Sequence, residues 1–341
     1  MPHRVGGLLV NLQLEGTDRQ DKPRESVDSG ECDPLVTMFN SEPWRMDNAE
    51  RAAQEALSRL GHVGTELHLV RLGENALFHA PALEALLRVA RPQKSARRVA
   101  VTIKLARLLR AEGIPAPEPL TYDGVEQPFV TALGTVTFWR YYEQDRSRRF
   151  SFQDFGGLLR EFHTRASVFE RCLPEWRPLE HMRRRLDEAR RQGIPPAWVG
   201  TLTERMATVE EGLQHLRSVL GQGAVHGDAH RGNVLLTSQG PVLLDLDELC
   251  IAPREWDLAP TLVARRRFGL SQAEWASFST AYGYDLLHSP AAGPLVWLRE
   301  LAMTTWLLQQ YGAAREIDEE LGRRIGSLEE DDPKWTTWNP F

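Results

Sequence analysis

Cysteine is scarce. The 341-residue chain holds three, Cys32, Cys172 and Cys250, far apart and without a Cys-x-x-Cys pair, so neither a disulfide framework nor a cysteine zinc site is suggested. That spacing fits a reducing compartment, and a cytoplasmic location is the expectation. Long apolar runs are also missing. The opening "MPHRVGGLLVNLQLEGTDRQ" is broken by Asn11 before it could serve as a signal-peptide core, and "GPLVWLRELAMTTWLLQQYG" carries Arg299 and Glu300 at its middle, the mark of a core helix rather than a membrane span. Nor is there a strong excess of one charge. The balance of 41 basic against 47 acidic residues leaves −6, which disfavours nucleic acid and anionic membrane surfaces as partners. The clusters "RRRLDEARR" and "RRRF" lack interleaved aromatics and read as exposed helix surface.

The length exceeds one ordinary small core and predicts two lobes with a ligand cleft between them. Residues 1–45, with "GTDRQDKPRESVDSGECDP", show no sustained period and are expected to be a disordered extension. Helical spacing begins at "MDNAERAAQEALSRLG". A meander follows in which apolar alternation over 67–72 turns at Gly73-Glu74-Asn75, resumes at 76–79 and ends in "ALLRVA". "RRVAVTIKLARLLRAEG" predicts a helix with Val99, Ile103, Ala106 and Leu109 or Arg110 a turn apart, and "PFVTALGTVTFWRYYE" predicts two more strands. From Ser151 the pattern becomes helical, with Ser151 and Asp154 spaced as a capping box. The expectation is an α+β chain: a small β-rich lobe over 46–142, with a connector at about 137–143, and a larger helical lobe over 143–341.

In "HGDAHRGN", residues 226–233, Asp228 and Asn233 stand as D-x-x-x-x-N. Asp245 comes later, on the predicted second strand of the hairpin over 234–247. A loop that enters a short hairpin can gather these three around one point. The set is what phosphoryl transfer from ATP requires: a carboxylate to orient and deprotonate a hydroxyl, with an amide oxygen and a second carboxylate to hold Mg²⁺. Two other readings stay open on these residues. His226, Asp228 and His230 alternate, as ligands of a metal-dependent hydrolase could, and a catalytically silent nucleotide-binding protein would show the same loop.

Taken together in order, "HGDAHRGN", "VLLDLDELCIAPREWDLAP" and "GTVTFWRYYE" resemble the aminoglycoside phosphotransferase and choline kinase-like group, over about residues 60–312. The resemblance implies a bilobal protein-kinase-like fold and an ATP-dependent kinase acting on a hydroxyl of a small molecule, an aminoglycoside-like antibiotic or another amino alcohol or sugar. It implies Asp228 as catalytic base, Asn233 and Asp245 as Mg²⁺ ligands, and Asp257 as a brace for the catalytic loop. The turn with Gly73 and Asn75 is expected to lie over the nucleotide phosphates. Arg88 stands where the pattern usually has a lysine, and its guanidinium can fork onto phosphate oxygens. Backbone groups near Trp139 and Tyr141 are expected to meet the adenine. One departure stands out: positions 97–104, "RRVAVTIK", contain no acid to pair with the strand cation. For a polycationic acceptor, Asp247, Glu248, Glu255 and the "EEDD" run at 329–332 are the available carboxylates, Asp247 being expected to point the same way as Asp245 along the strand.

Overall fold

In this computed structural model, residues 46–73, 75–91, 96–122, 125–329 and 336–340 are described. The proposed extension over 1–45 and most of the acidic run at 329–332 lie outside them. Contacts divide the chain into two compact units, one formed by residues through Val101 together with Pro119–Tyr141, the other by Thr102–Glu118 together with the chain from Tyr142 onward.

The first unit opens with helix α1 (Met46–Arg59), whose small apolar stripe Ala49, Ala52, Ala53, Ala56 and Leu57 is buried. It packs on a sheet of strands β1 (His68–Leu72), β2 (Asn75–Ala80), β3 (Ala85–Ala90), β4 (Phe129–Thr131) and β5 (Gly134–Arg140), in the order β1-β2-β3-β5-β4 and antiparallel throughout. Alternation sets the faces of β2 and β3. Phe78, Leu87, Val89, Val136 and Phe138 point to the core under α1, whereas β1 is an edge strand exposed along its whole length. Helix α2 (Ala96–Ala111) buries Val99, Ile103, Ala106 and Leu109, the predicted stripe, and leaves Arg110 exposed.

The second unit continues with α3 (Phe152–Arg165), α4 (Glu180–Arg191) and α5 (Pro196–Gln214). The Ser151–Asp154 capping box is formed in both directions at the start of α3. Two short antiparallel ribbons follow. β6 (Gln222–Val225) pairs with β9 (Cys250–Pro253), and β7 (Val234–Thr237) pairs with β8 (Gly240–Leu243). The remainder is helical: α6 (Ala259–Arg267), α7 (Gln272–Tyr282), α8 (Ala292–Leu307) and α9 (Arg315–Glu329). Apolar on most of its circumference, α8 is surrounded by α4, α5, α6 and α9.

Two expectations are corrected. The second strand of the hairpin ends at Leu243 rather than 246, so Asp245 and Asp247 belong to a tight 3₁₀ turn and do not share one strand face. The "RRRF" cluster is not exposed surface: Arg267 is buried, and Arg266 and Arg267 both converge on buried Glu300, at 3.1 and 2.6 Å.

Candidate active site

The loop that carries Asp228 is held by one carboxylate. Asp257, fully buried, accepts from the backbone N–H of His226 at 2.6 Å and of Gly227 at 2.9 Å, and it contacts His163 Nε2 at 2.9 Å. His163 in turn meets the Tyr282 hydroxyl at 2.7 Å, and burial, followed by the Asp257 charge, pushes that phenol well above its ordinary value. Trp256 Nε1 donates to the Gly227 carbonyl at 2.9 Å. Gly227 has φ of +86°, and a Cβ there would lie 2.1 Å from the Glu248 carbonyl oxygen, so only glycine fits. The brace expected of Asp257 is therefore present as a network that fixes both peptide units ahead of Asp228.

Asp228 stands at the end of this loop. Its Oδ2 accepts from Asn233 Nδ2 at 3.2 Å and lies 3.5 Å from His230 Nε2, and the same Asn233 nitrogen donates to the Asp228 carbonyl at 2.9 Å. Its buried Oδ1 forms an ion pair with Arg299 Nη2 at 2.6 Å. Burial opposes ionisation of Asp228, but the positive charge of Arg299, with smaller help from His230 and His226, more than offsets it and holds the carboxyl well below its ordinary value. It is ionised at neutral pH.

Asn233 and Asp245 flank the β7–β8 ribbon. Val234 pairs with Leu243, and the Leu244 N–H donates to the Asn233 carbonyl at 2.7 Å. This extends the register by one position and places Asp245 next in line. Both amide hydrogen bonds of Asn233 use its nitrogen, so the amide oxygen is the atom that could meet a cation. Asp245 is exposed and takes a left-handed backbone conformation, φ 56° and ψ 66°. For a non-glycine residue that is strained, of the kind concentrated at functional sites. An amide oxygen with an exposed carboxylate one register step away is a donor set suited to a hard divalent cation.

The hydrolase reading fails on His226. Its ring is fully buried, Nε2 bonds the Leu244 carbonyl at 2.8 Å, and Nδ1 accepts from the Asp228 N–H, so both nitrogens are committed to the loop. Among the described residues, no three His, Cys, Asp or Glu side chains form a metal-binding group. Glu255 does not line a pocket either. It is buried and saturated by the Ser218 hydroxyl and the Val219 and Leu220 N–H groups at 2.6–2.9 Å. Asp247 accepts from Thr102 Oγ1 at 3.0 Å.

In the first unit, Gly73, Asn75 and Arg88 come together. The Gly73 N–H donates to the Asn75 carbonyl at 3.1 Å, closing the β1–β2 turn. Leu77 pairs with Arg88, so Asn75 and Arg88 are diagonal neighbours on one sheet face. With the Asn75 amide turned so that its oxygen faces the guanidinium, it accepts from Arg88 Nη2 at 2.9 Å and Nε at 3.3 Å. An uncharged amide thus contacts Arg88, and α2 has no acid anywhere in its length. Trp139 is a core residue whose indole N–H donates to Thr137 Oγ1 at 2.8 Å. Tyr141 donates its N–H to the Glu84 carbonyl at 2.9 Å and stacks its ring on His79.

Arg299 is the residue that sequence reasoning passed over. It stands 71 positions after Asp228 and appeared only as a charge interrupting an apolar helix. That interruption was the available signal, because a cation in such a helix needs a partner.

Comparison with curated proteins gives no match. Among solved structures, the chain is similar to an amicoumacin kinase in complex with AMP-PNP, Ca²⁺ and Ami, with a TM-score of 0.70 at 15% identity over 86% of this chain and 98% of that one. A choline/ethanolamine kinase family protein from Mesorhizobium loti gives 0.56 at 20% identity over 83% and 96%. A spectinomycin phosphotransferase in complex with ADP and spectinomycin gives 0.57 at 15% over 83% and 95%. At these identities the likeness is one of fold, and it bears out the α+β kinase-like architecture. Among the described residues no helix is long and apolar enough to cross a membrane. The sequence matches the model of the phosphotransferase enzyme family over residues 73–295, the greater part of its length, and the chain belongs to that family.

Proposed function

We propose that the protein is an ATP-dependent kinase that moves the γ-phosphoryl group to a hydroxyl of a small molecule, with Asp228 as the group that receives the hydroxyl. The observation that carries this is the state of Asp228: ionised through its pair with Arg299, oriented through Oδ2 by Asn233, and with its side chain still partly exposed. Asp228 accepts the hydrogen bond of the acceptor hydroxyl. It takes the proton as that oxygen bonds to the γ-phosphorus and the bond to the departing ADP oxygen breaks. The Asn233 amide oxygen and the Asp245 carboxylate would hold Mg²⁺, which when bound would supply positive charge against that of the phosphates. In the first unit, Arg88 supplies a fork for phosphate oxygens, oriented by Asn75 rather than by a helix carboxylate, and the Gly73 turn supplies backbone to cover them. The backbone around Trp139 and Tyr141 is assigned to the adenine. The nucleotide complexes of the amicoumacin kinase and the spectinomycin phosphotransferase support ATP as donor.

The test is ATP consumption with Mg²⁺ across a panel of hydroxylated acids, amines, sugars and antibiotics, run beside Asp228→Asn. Removing the base is expected to lower turnover of a confirmed acceptor by about 10²–10⁴-fold. Full turnover by Asp228→Asn would overturn the assignment.

A further inference from the structure

Asp245 holds a strained backbone conformation, φ 56° and ψ 66°, and its carboxylate does not cap the 3₁₀ turn it begins. Such a conformation persists only where the surrounding structure over-determines it. Upstream, the Leu244 N–H donates to the Asn233 carbonyl at 2.7 Å, and His226 Nε2 bonds the Leu244 carbonyl at 2.8 Å. Downstream, Leu246 is buried, the Glu248 carbonyl lies against Gly227, and Asp247 Oδ1 accepts from Thr102 Oγ1 at 3.0 Å across 145 positions of chain. Of these anchors, Thr102 alone lies outside residues 226–249. It also breaks the pattern of its own helix. The buried residues of α2 are Val99, Thr102, Ile103, Leu105, Ala106 and Leu109, and Thr102, 4% exposed, is the one polar member. Valine has nearly the same shape, so packing alone does not call for the hydroxyl. A buried hydroxyl is costly without an acceptor, and the acceptor here is a carboxylate, the stronger kind of partner. The bond fixes Asp247, two residues beyond Asp245, and so limits how far the turn can relax. A relaxed turn would move the Asp245 carboxylate off the register step beside Asn233.

We propose that Thr102 is a positioning residue for the divalent-cation site: through Asp247, its hydroxyl keeps Asp245 in the left-handed conformation that sets its carboxylate beside the Asn233 amide oxygen. The proposal rests on the reading of Asn233 and Asp245 as cation ligands. Helix α2, which has no acid in its length, then serves the site with a donor, and Asp247 supports the metal turn rather than lining an acceptor pocket.

The experiment follows binding of Mn²⁺ alone to the full chain by loss of the free-ion EPR signal, for wild type, Thr102→Val, Thr102→Ser, Thr102→Ala and Asp245→Asn, with urea unfolding of each. Thr102→Val removes the hydroxyl at nearly constant shape and is expected to weaken Mn²⁺ binding by about 10-fold, the low end of what loss of an outer hydrogen-bonding partner costs a metal site. Thr102→Ser keeps the hydroxyl and should keep the wild-type affinity while losing stability to urea through its missing methyl. A packing role predicts the opposite order, with Val near wild type and Ser impaired. With ATP and a confirmed acceptor, Thr102→Val should raise the Mg²⁺ concentration for half-maximal turnover more than it lowers turnover at saturating Mg²⁺. Should Thr102→Val unfold, the comparison of Thr102→Ala with Thr102→Ser reads the same hydroxyl. Mn²⁺ affinity unchanged in folded Thr102→Val, or equal in the Ala and Ser variants, would overturn the proposal. Weakened binding in Asp245→Asn with unchanged binding in Thr102→Val would leave the cation ligands standing and this inference fallen. Binding undiminished in Asp245→Asn would remove the ligand reading itself, and the proposal with it.

Discussion

Asp257→Ala is the perturbation whose cost the structure allows to be worked out. The carboxylate is fully buried and accepts two backbone N–H groups, from His226 at 2.6 Å and Gly227 at 2.9 Å, while contacting His163 Nε2 at 2.9 Å. Truncation leaves three buried polar groups without a partner, at about 1–3 kcal/mol each before relaxation. The loop cannot relax far, because Gly227 is wedged against the Glu248 carbonyl and its own carbonyl is held by Trp256. The expected loss is about 3–5 kcal/mol, similar to removing one partner of a buried charged pair. Asp257→Asn keeps one acceptor oxygen and turns an amide N–H toward the second backbone donor, so its loss falls between Ala and wild type. Equilibrium urea unfolding of the second unit reads both. With a slope of about 1–3 kcal/mol per molar, the Ala midpoint drops by roughly 1–5 M with the slope unchanged. An Ala variant within about 0.5 kcal/mol of wild type would show that the loop is held by other contacts and would refute the brace.

Gly227→Ala combines a left-handed backbone with a Cβ 2.1 Å from a carbonyl oxygen. It should cost about 3 kcal/mol or more, read as a lowered thermal midpoint. Trp338 is 1% exposed, donates to Ser327 Oγ at 3.0 Å and lies 4.9 Å from both the Arg267 and Arg324 guanidiniums. Trp338→Ala should destabilise the second unit by about 3–5 kcal/mol, measured by urea unfolding. Burial first, and then Asp257 and Glu248, push the Cys250 thiol up to about 12, whereas Cys172 is exposed. In a Cys32→Ser background at pH 8, a thiol reagent should label Cys172 at once and Cys250 only after unfolding. Asp154 and Glu274 have carboxyls held below their ordinary values by capping hydrogen bonds from Ser151 and Ser271. Depressed folded-state pKa values add stability above the ordinary values of 3.8 and 4.5 that is lost as pH falls through the folded ones. The thermal-midpoint gap between wild type and Asp154→Asn/Glu274→Gln should therefore narrow from pH 6 to pH 2.

Local signals were legible in the sequence, and long-range ones were not. The meander, the α2 stripe and the Ser151 cap depend on residues within a few positions of one another, and each is found in the structure. The Asp228–Asn233 spacing belongs to the same class, because the loop closes on itself through Asn233 Nδ2. What escaped depended on the tertiary environment. Glu255 looked like an available pocket carboxylate until the 218–220 turn was seen to fold over it. Asp245 looked like a strand residue because "PVLLDLDEL" alternates well. The left-handed turn at Asp245 overrides that pattern and sends Asp247 to Thr102. The β6–β9 pairing joins segments more than twenty residues apart with no turn signal between them.

The division between donor-side and acceptor-side chemistry follows from the same distinction. Residues that handle a phosphoryl donor and its metal meet the same ligand in every such kinase, so a loop and a hairpin with fixed spacing can carry them, and a motif results. The acceptor side answers to whichever molecule the enzyme uses. Helix α8 carries two adjacent charges in an otherwise apolar stretch, Arg299 partly exposed and Glu300 buried. Burying either charge alone is unfavourable, so each has to find an opposite charge outside the helix. Glu300 finds Arg266 and Arg267 and is spent on structure. Arg299 finds Asp228, at 2.6 Å, and holds its carboxylate ionised. An Arg-Glu pair inside an apolar helix is thus a sequence feature that announces two long-range ion pairs, though not which distant residues complete them.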